Sequence, residues 1–530
     1  MVVIEIKQLK KLFGERELFK INNLKINENE KVGIVGKNGC GKTTLLDIIA
    51  GKLEPDEGKV EVKQDFIYLK QFNEVEEESK FLSGGEKTKQ LYKRKLNLHT
   101  NLVLMDEPTN HLDMESILKL EERLKKYQGT LLMISHDRTL LDHICNFIIE
   151  IEDGEVTKYK GNYTSYQIQK EIIKKTKELE YFKYIEEKSK LEKAICISKN
   201  NSKEVKKAPS RMGNSEARLH KRDAEEIREK IDGHTKALER RLEKLEEKEK
   251  PKQEQRIYMR VEENRKLKGR NVLTAEHLTI QFPGKILLQD INFQVPTNAK
   301  IALIGKNGAG KTTLIKEILK GNEKIKIREA VKIGYFSQEF EGLEEEKTIL
   351  ENVMQDTVQG EVACRNILGR LLFRNQEVYK KVKVLSGGEK VKVAIAKILV
   401  SDANFLILDE PTNFLDLPSL EELEKLIIEY QGTILFVTHD RTWMNHVANY
   451  LFIIEDKKLI QYKGNYEQYE KEKIRKKETK AKQEDDLVIE MKLIALDSKI
   501  ALTKDPMEKE KLEEEYINLK KIQMQNKQKC

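Results

Sequence analysis

Cysteine is scarce in this chain and never clustered. The five are Cys40, Cys145, Cys196, Cys364 and Cys530, with no Cys-x-x-Cys pair among them. That excludes a disulfide-dense framework, and it makes a reducing, cytoplasmic setting the expectation. No stretch approaches the roughly 20 apolar residues needed to cross a bilayer. The opening residues, Met1-Val2-Val3-Ile4-Glu5-Ile6, alternate as a strand does, unlike the apolar core of a secretory signal. A large excess of one charge is also missing. Ninety-eight Lys and Arg face 90 Asp and Glu, for a formal net charge of +8, so composition favours an anionic partner only weakly. Tryptophan occurs once, at Trp443, and its place shortly after a strand predicts packing under a helix.

What the chain does have is a set of ordered motifs, present twice. Gly36-Lys37-Asn38-Gly39-Cys40-Gly41-Lys42-Thr43-Thr44 fits the glycine-rich phosphate loop. The glycines let successive N–H groups converge on phosphate oxygens at the positive end of a helix. Lys42 is expected to reach the terminal phosphates and Thr43 a magnesium ion. An apolar run, 102–105, then delivers Asp106 and Glu107, followed by Pro108-Thr109-Asn110. A carboxylate at a strand end can hold magnesium through water, and its neighbour can polarise an attacking water. The second set comprises Gly305, Asn307, Gly308, Gly310, Lys311, Thr312 and Thr313, with Asp409 and Glu410 after 405–408. Phe13 and Phe282 precede the two loops, where an aromatic can stack on adenine or pack in a strand. His136 and His439 each open a His-Asp-Arg triplet at the same offset from the acidic pair, which favours a role at the phosphates over a capping one.

Aligning the copies locates a deletion. Lys42 and Lys311 are 269 residues apart, but Ser83 and Ser386, Asp106 and Asp409, and His136 and His439 are each 303 apart. The difference falls between Gln71 and Ser83, an interval of 12 residues against 48 between Gln338 and Ser386. The first copy therefore lacks most of a small helical subdomain. The second has room for helices such as 361–373.

The domain plan that follows is an α/β protein with tandem nucleotide domains at 1–162 and 269–466. A helical hairpin fills 163–268, and a shorter one 467–530. The linker's first helix is expected over 163–198, about 54 Å long, with a return helix capped by Ser215 and running to about 250. In the C-terminal part, helices are expected over 471–503 and 507–524. Charge concentrates at the linker tip. From Ser198 through Arg222 the bases are Lys199, Lys203, Lys206, Lys207, Arg211, Arg218, Lys221 and Arg222, against two acids, Glu204 and Glu216. Such a tip can approach phosphates far from the nucleotide domains.

Leu-Ser-Gly-Gly-Glu beside a phosphate loop and Asp-Glu-Pro-Thr-Asn resembles the ABC ATPase superfamily. The resemblance implies ATP and Mg2+ sandwiched between the phosphate loop of one domain and the Ser-Gly-Gly segment of the other. Lys42, Thr43, Gln71, Asp106, Glu107 and His136 would join Ser386, Gly387, Gly388 and Glu389. Lys311, Thr312, Gln338, Asp409, Glu410 and His439 would join Ser83, Gly84, Gly85 and Glu86. Over about 1–466 the chain is similar to the ABC-F family, and the Asn413-Phe414-Leu415-Asp416 form, basic tip and C-terminal extension resemble its Vga/VmlR-like antibiotic-resistance branch. That resemblance implies a monomer, closing on itself, that binds the E site of the 70S bacterial ribosome. It further implies a linker reaching along rRNA to P-site tRNA to relieve lincosamides, streptogramin A and pleuromutilins. A non-resistance ABC-F translation factor, a soluble ABC ATPase acting on nucleic acid, and the engine of a drug exporter are the alternatives. The shortened first copy argues against the last.

Overall fold

The computed structural model describes residues 1–14, 16–70, 100–110, 112–204, 214–248, 269–282, 284–337, 342–373, 375–502, 510 and 512–521, without the side chains of 214–225, 282, 285, 375, 477–488, 501 and 502. Gln71, Ser83, Gly84, Gly85, Glu86, Lys206, Lys207, Arg211 and Gln338 lie outside the described residues, as does the shortened interval of the first copy.

The first nucleotide domain is built on nine strands in one sheet. They are β1 (Val2–Phe13), β2 (Arg16–Asn27), β3 (Lys31–Gly36), β4 (Glu57–Val62), β5 (Phe66–Leu69), β6 (Leu102–Asp106), β7 (Thr130–Ile134), β8 (Phe147–Glu152) and β9 (Glu155–Lys160), ordered β4-β1-β2-β9-β8-β3-β7-β6-β5. β8, β3, β7, β6 and β5 run parallel. β6 and β7 are buried along their whole length, which is why they read as unbroken apolar runs rather than alternating ones. Because β3, β7 and β6 are neighbours, the chain leaves their carboxyl ends at one edge of the sheet. Lys42, His136 and Glu107 all follow those exits, at the crevice where open parallel sheets hold ligands.

The second domain repeats this. β10 (Lys300–Gly305), β11 (Phe405–Asp409) and β12 (Thr433–Val437) lie in the order β11-β12-β10 within a six-stranded sheet, beside a three-stranded one. Two helices, Ile349–Met354 and Glu361–Arg370, occupy the subdomain that only this copy has room for. Trp443 lies fully buried in the helix Arg441–His446, edge-on to Phe436 with centroids 5.4 Å apart.

Helical segments join the domains. The first helix, Tyr163–Glu204, has 42 residues and is about 63 Å long. It passes the expected end because Ser198 and Ser202 are buried against the return helix. Ser198 bonds Thr235 at 2.8 Å and Ser202 donates to Asp232 at 2.8 Å. These cross-helix bonds offset the weak helix preference of the Lys-Asn-Asn-Ser stretch. The return helix spans Asn214–Glu243, so Ser215 lies inside it rather than capping it. It ends short of 250 in a tightened turn, Leu245 N–H to Leu242 O. A third long helix, Tyr466–Leu502, starts five residues earlier than expected, and helix resumes at 512–521. Among the described residues, no helix is long and apolar enough to cross a membrane.

The two domains face one another across a pseudo-two-fold axis. Thr139 and Thr442, equivalent in the two copies, share a hydrogen bond of 3.2 Å, as residues on such an axis must. Flanking them are reciprocal buried ion pairs, Arg138 with Glu424 at 2.5 Å and Arg441 with Glu121 at 2.7 Å. Each Glu also meets a histidine of its own domain, His143 at 2.6 Å from Glu121 and His446 at 2.7 Å from Glu424.

Removing one member of a buried pair strands a charge. Arg138→Ala should therefore destabilise the joined domains by about 3 kcal/mol in urea unfolding, and adding Glu424→Ala should restore part of the loss. A shift below about 0.5 kcal/mol in Arg138→Ala would show that the pair is not holding the interface.

Candidate functional site

Most helices of the two nucleotide domains begin with a side-chain cap. Asp113, Asp137, Asp416 and Asp440 accept from the third residue onward in their helices. The helices Lys42–Ile49 and Lys311–Lys320 have glycine at the N-cap and no side-chain acceptor. Their first N–H groups are thus left for another anion. Gly41 and Gly310 have φ of 100° and 104°, in the left-handed region that favours glycine. A Cβ on Gly41 would also sit 2.7 Å from the Phe19 ring. Lys42 folds back to donate to Gly36 O at 2.8 Å and Lys37 O at 3.1 Å, and Lys311 does the same to Gly305 O at 2.8 Å and Lys306 O at 3.3 Å.

Beside each lysine stand the acidic pair and the histidine. Asp106 takes a hydrogen bond from Thr43, and Asp409 from Thr312, while burial raises both carboxyls above their ordinary value. Glu107 and Glu410 have φ of 47° and 52°, a strained setting for a residue with a Cβ. Their amides donate to Ile134 O and Val437 O at 3.0 Å, so the neighbouring strand holds each glutamate there. Burial pushes Glu107 up to about 8 and Glu410 up to about 7, with the nearby lysine opposing. His136 Nε2 lies 3.2 Å from Glu107 Oε1, and His439 Nε2 lies 3.4 Å from Glu410 Oε1. Burial lowers both histidines to about 3, so both are neutral at ordinary pH and these contacts are not ion pairs.

Several buried atoms here have no hydrogen-bond partner among the described residues: Asp106 Oδ2, Glu107 Oε1, His136 Nδ1 and His439 Nδ1. Such orphans are costly unless a ligand, ion or water completes them. Free capacity on Asp106 beside the Thr43 hydroxyl fits magnesium, which takes few protein ligands and completes its shell with water and phosphate oxygens.

The second domain closes over the first loop. Asn38 N–H donates to Asp416 Oδ2 at 2.8 Å and Asn38 Nδ2 to Phe414 O at 2.7 Å. Gly388 stands at the same point. A Cβ there would lie 2.4 Å from Phe414 O and 3.1 Å from Asn38 Nδ2. Lys42 and the 386–389 segment are therefore brought to one cleft. Ser386 departs from expectation: it caps the helix Gly387–Val400, donating its hydroxyl to Glu389 Oε2 at 2.7 Å. It must turn away from Glu389 to meet a phosphate. At the other loop, Lys306 pairs with Glu115 of the first domain at 2.8 Å, and the facing 83–86 segment is outside the described residues. Phe13 is 78% exposed at the end of β1, so it is not a packed strand residue. Lys199 pairs with Glu239 at 2.8 Å and Lys203 is exposed.

The ABC transporter family model matches residues 19–78 and 288–413, and a second ABC transporter model matches 149–232. The chain is 34% identical to the erythromycin resistance ATP-binding protein MsrA of Staphylococcus epidermidis, over 84% of this chain and 96% of that protein. It is 30% identical to ABC transporter F family member 2 of Arabidopsis thaliana, over 87% and 78%. The chain belongs to the ABC-F family of ATPases. The ribosome protection protein VmlR of Bacillus subtilis is another relative of this ABC-F chain, 32% identical over 83% of the chain and 85% of that protein. An archaeal ribosome recycling factor, aABCE1, shares the fold, with a TM-score of 0.56 at 19% identity, over 84% of this chain and 87% of that one.

Motif reading missed Glu121, Glu424, Arg138 and Arg441 as a joint. The repeat marks Glu121 and Glu424, and Arg138 and Arg441, as equivalent at 303 residues apart, but it does not show that they meet.

A glutamate that must be ionised to accept a proton works only above its own pKa. ATP turnover should rise between pH 6 and 8.5, and in Glu107→Gln the remaining turnover should titrate near 7, from Glu410 alone. A flat profile in both proteins would exclude either glutamate as the ionising base.

Proposed function

We propose that this ATPase works as two composite sites that close on nucleotide and thereby place the helical linker on a ribosome. In the first site Lys42 and the N–H groups of 41–44 hold phosphates. Thr43 and Asp106, with Gln71, would hold Mg2+, which when bound would neutralise phosphate charge. Glu107 takes a proton from the attacking water, and neutral His136 holds the γ-phosphate side of the cleft. Ser386, Gly387 and Gly388 close it from the other domain. Lys311, Thr312, Asp409, Glu410 and His439 repeat those roles with Gln338 and 83–86. Phe13 and Phe282 stack on adenine.

The destination is the E site of the bacterial ribosome, with the linker along rRNA toward P-site tRNA. The effect is protection of the peptidyl-transferase centre from bound antibiotics. The observation that carries this reading is a 42-residue helix rising from the closed domains into a segment with eight bases and two acids. A bundle of that length and sign suits a polyanionic cavity better than a small-molecule substrate. The names of MsrA and VmlR support the protective role. The second reading is a translation factor for stalled ribosomes, since membership of the ABC-F family does not by itself imply resistance.

Two experiments test this. Glu107→Gln with Glu410→Gln should cut single-turnover hydrolysis by about 10²–10⁴-fold and leave the protein trapped on nuclease-treated ribosomes in co-sedimentation. Binding to DNA junctions but not to ribosomes would contradict the assignment. Deleting residues 203–213 should leave ATPase activity intact and abolish rescue of cell-free translation from lincosamide, streptogramin A or pleuromutilin. Undiminished rescue would remove the tip from the mechanism. Improved synthesis on stalling messages with no drug rescue in the intact chain would select the translation-factor reading.

A further inference from the structure

The pseudo-two-fold axis lets each half serve as a control for the other, and the symmetry fails at the root of the linker. Tyr163 and Tyr466 are equivalent, and each opens a long helix in a buried position. Tyr163 donates to Glu421 Oε1 of the second domain at 2.9 Å, and Gln167 donates to the same oxygen. Tyr466 instead donates within its own helix, to Glu470 at 2.7 Å. The position equivalent to Glu421 is Leu118, which packs against the second domain's core. Among the described residues, the linker helix therefore has a polar strap to the opposite ATPase domain that the C-terminal helix lacks. Its other anchor is in its own domain, where Tyr166 donates to Glu150 at 2.5 Å and Lys170 pairs with Glu150 and Glu152.

Glu421 lies on the helix Leu417–Glu429, whose cap residue Asp416 also accepts the Asn38 N–H of the first phosphate loop. From Asp416 to Glu421 is little more than one helical turn, about 7 Å. One rigid element thus touches the loop before Lys42 at its start and the root of the linker at its first turn. We propose that this helix is a lever: nucleotide at the Lys42 site, and not at the Lys311 site, sets the direction of the linker through Glu421 and its bonds to Tyr163 and Gln167. A positioning role fits Glu421, since its bonds go to the root of the linker while the phosphate loop is met by Asp416. This rests on the composite first site proposed above.

The test is a pulsed-EPR distance between a label on Cys196, exposed on the linker helix, and one at Lys458→Cys in the second domain. The chain also carries Cys40→Ala, matching Ala309, and Cys530→Ser. Trapping ATP with Glu107→Gln should narrow the distance distribution, and trapping with Glu410→Gln should not. Glu421→Leu, which copies Leu118, should lose the narrowing while ATP turnover stays within about twofold of the otherwise native chain. Glu421→Gln, still an acceptor, should retain it. Should Glu421→Leu fold poorly, Tyr163→Phe with Gln167→Leu removes both donors and should give the same loss. Narrowing that survives either variant, or that Glu410→Gln produces equally, overturns the lever alone. No response to ATP in any trapped form contradicts the composite first site instead.

Discussion

Two arginines, each crossing to the other domain's glutamate, are the joint on which this molecule depends. Arg138 with Glu424 and Arg441 with Glu121 sit beside the Thr139–Thr442 contact, buried where an unpaired charge is costly. The same geometry that satisfies those charges fixes which surfaces meet. With the axis there, the loop around Asn38 is carried to Phe414, Asp416 and Gly388. Hydrophobic packing supplies cohesion within each domain and also crosses between them, at Met114 and Leu118 on one side and Leu417 on the other. The reciprocal buried ion pairs add direction to that contact, because a placement that breaks either one strands a charge.

The cleft beside each phosphate loop takes its character from burial. Burial keeps Glu107 and Glu410 protonated further up the pH scale and keeps His136 and His439 neutral. The left-handed backbone at both glutamates is strain imposed by the adjoining strand, and its recurrence in both copies marks it as part of the design. The orphaned atoms on Asp106, Glu107 and His136 point the same way. Among the described residues those atoms have no partner, and phosphate, metal and water have the chemistry to supply one.

Much of this was legible in the sequence. Parallel strands buried on both faces announce themselves as apolar runs, and glycines with lysine and threonine define a phosphate loop through backbone geometry alone. The 303-residue offset exposed the repeat and the missing subdomain. Helix ends were less legible: Ser198 and Ser202 continue the first linker helix because partners on the return helix bond them, a tertiary effect that propensity does not contain. Ser386 and Glu389, three residues apart, also form a capping box, a local pattern that lies within the nucleotide motif. The Arg–Glu joint and the Tyr163–Glu421 strap depend on contacts between residues more than 250 positions apart, and no local pattern encodes those.

The claim on which the rest stands is that each nucleotide is held by both halves at once. A structure of the Glu107→Gln, Glu410→Gln chain determined with ATP tests it most directly. The account predicts two nucleotides, one touching Lys42 together with Ser386 and Gly388, and the other touching Lys311 together with Ser83 and Gly85. Nucleotide contacted by a single domain, with the two halves apart and the Arg138–Glu424 pair broken, would contradict it.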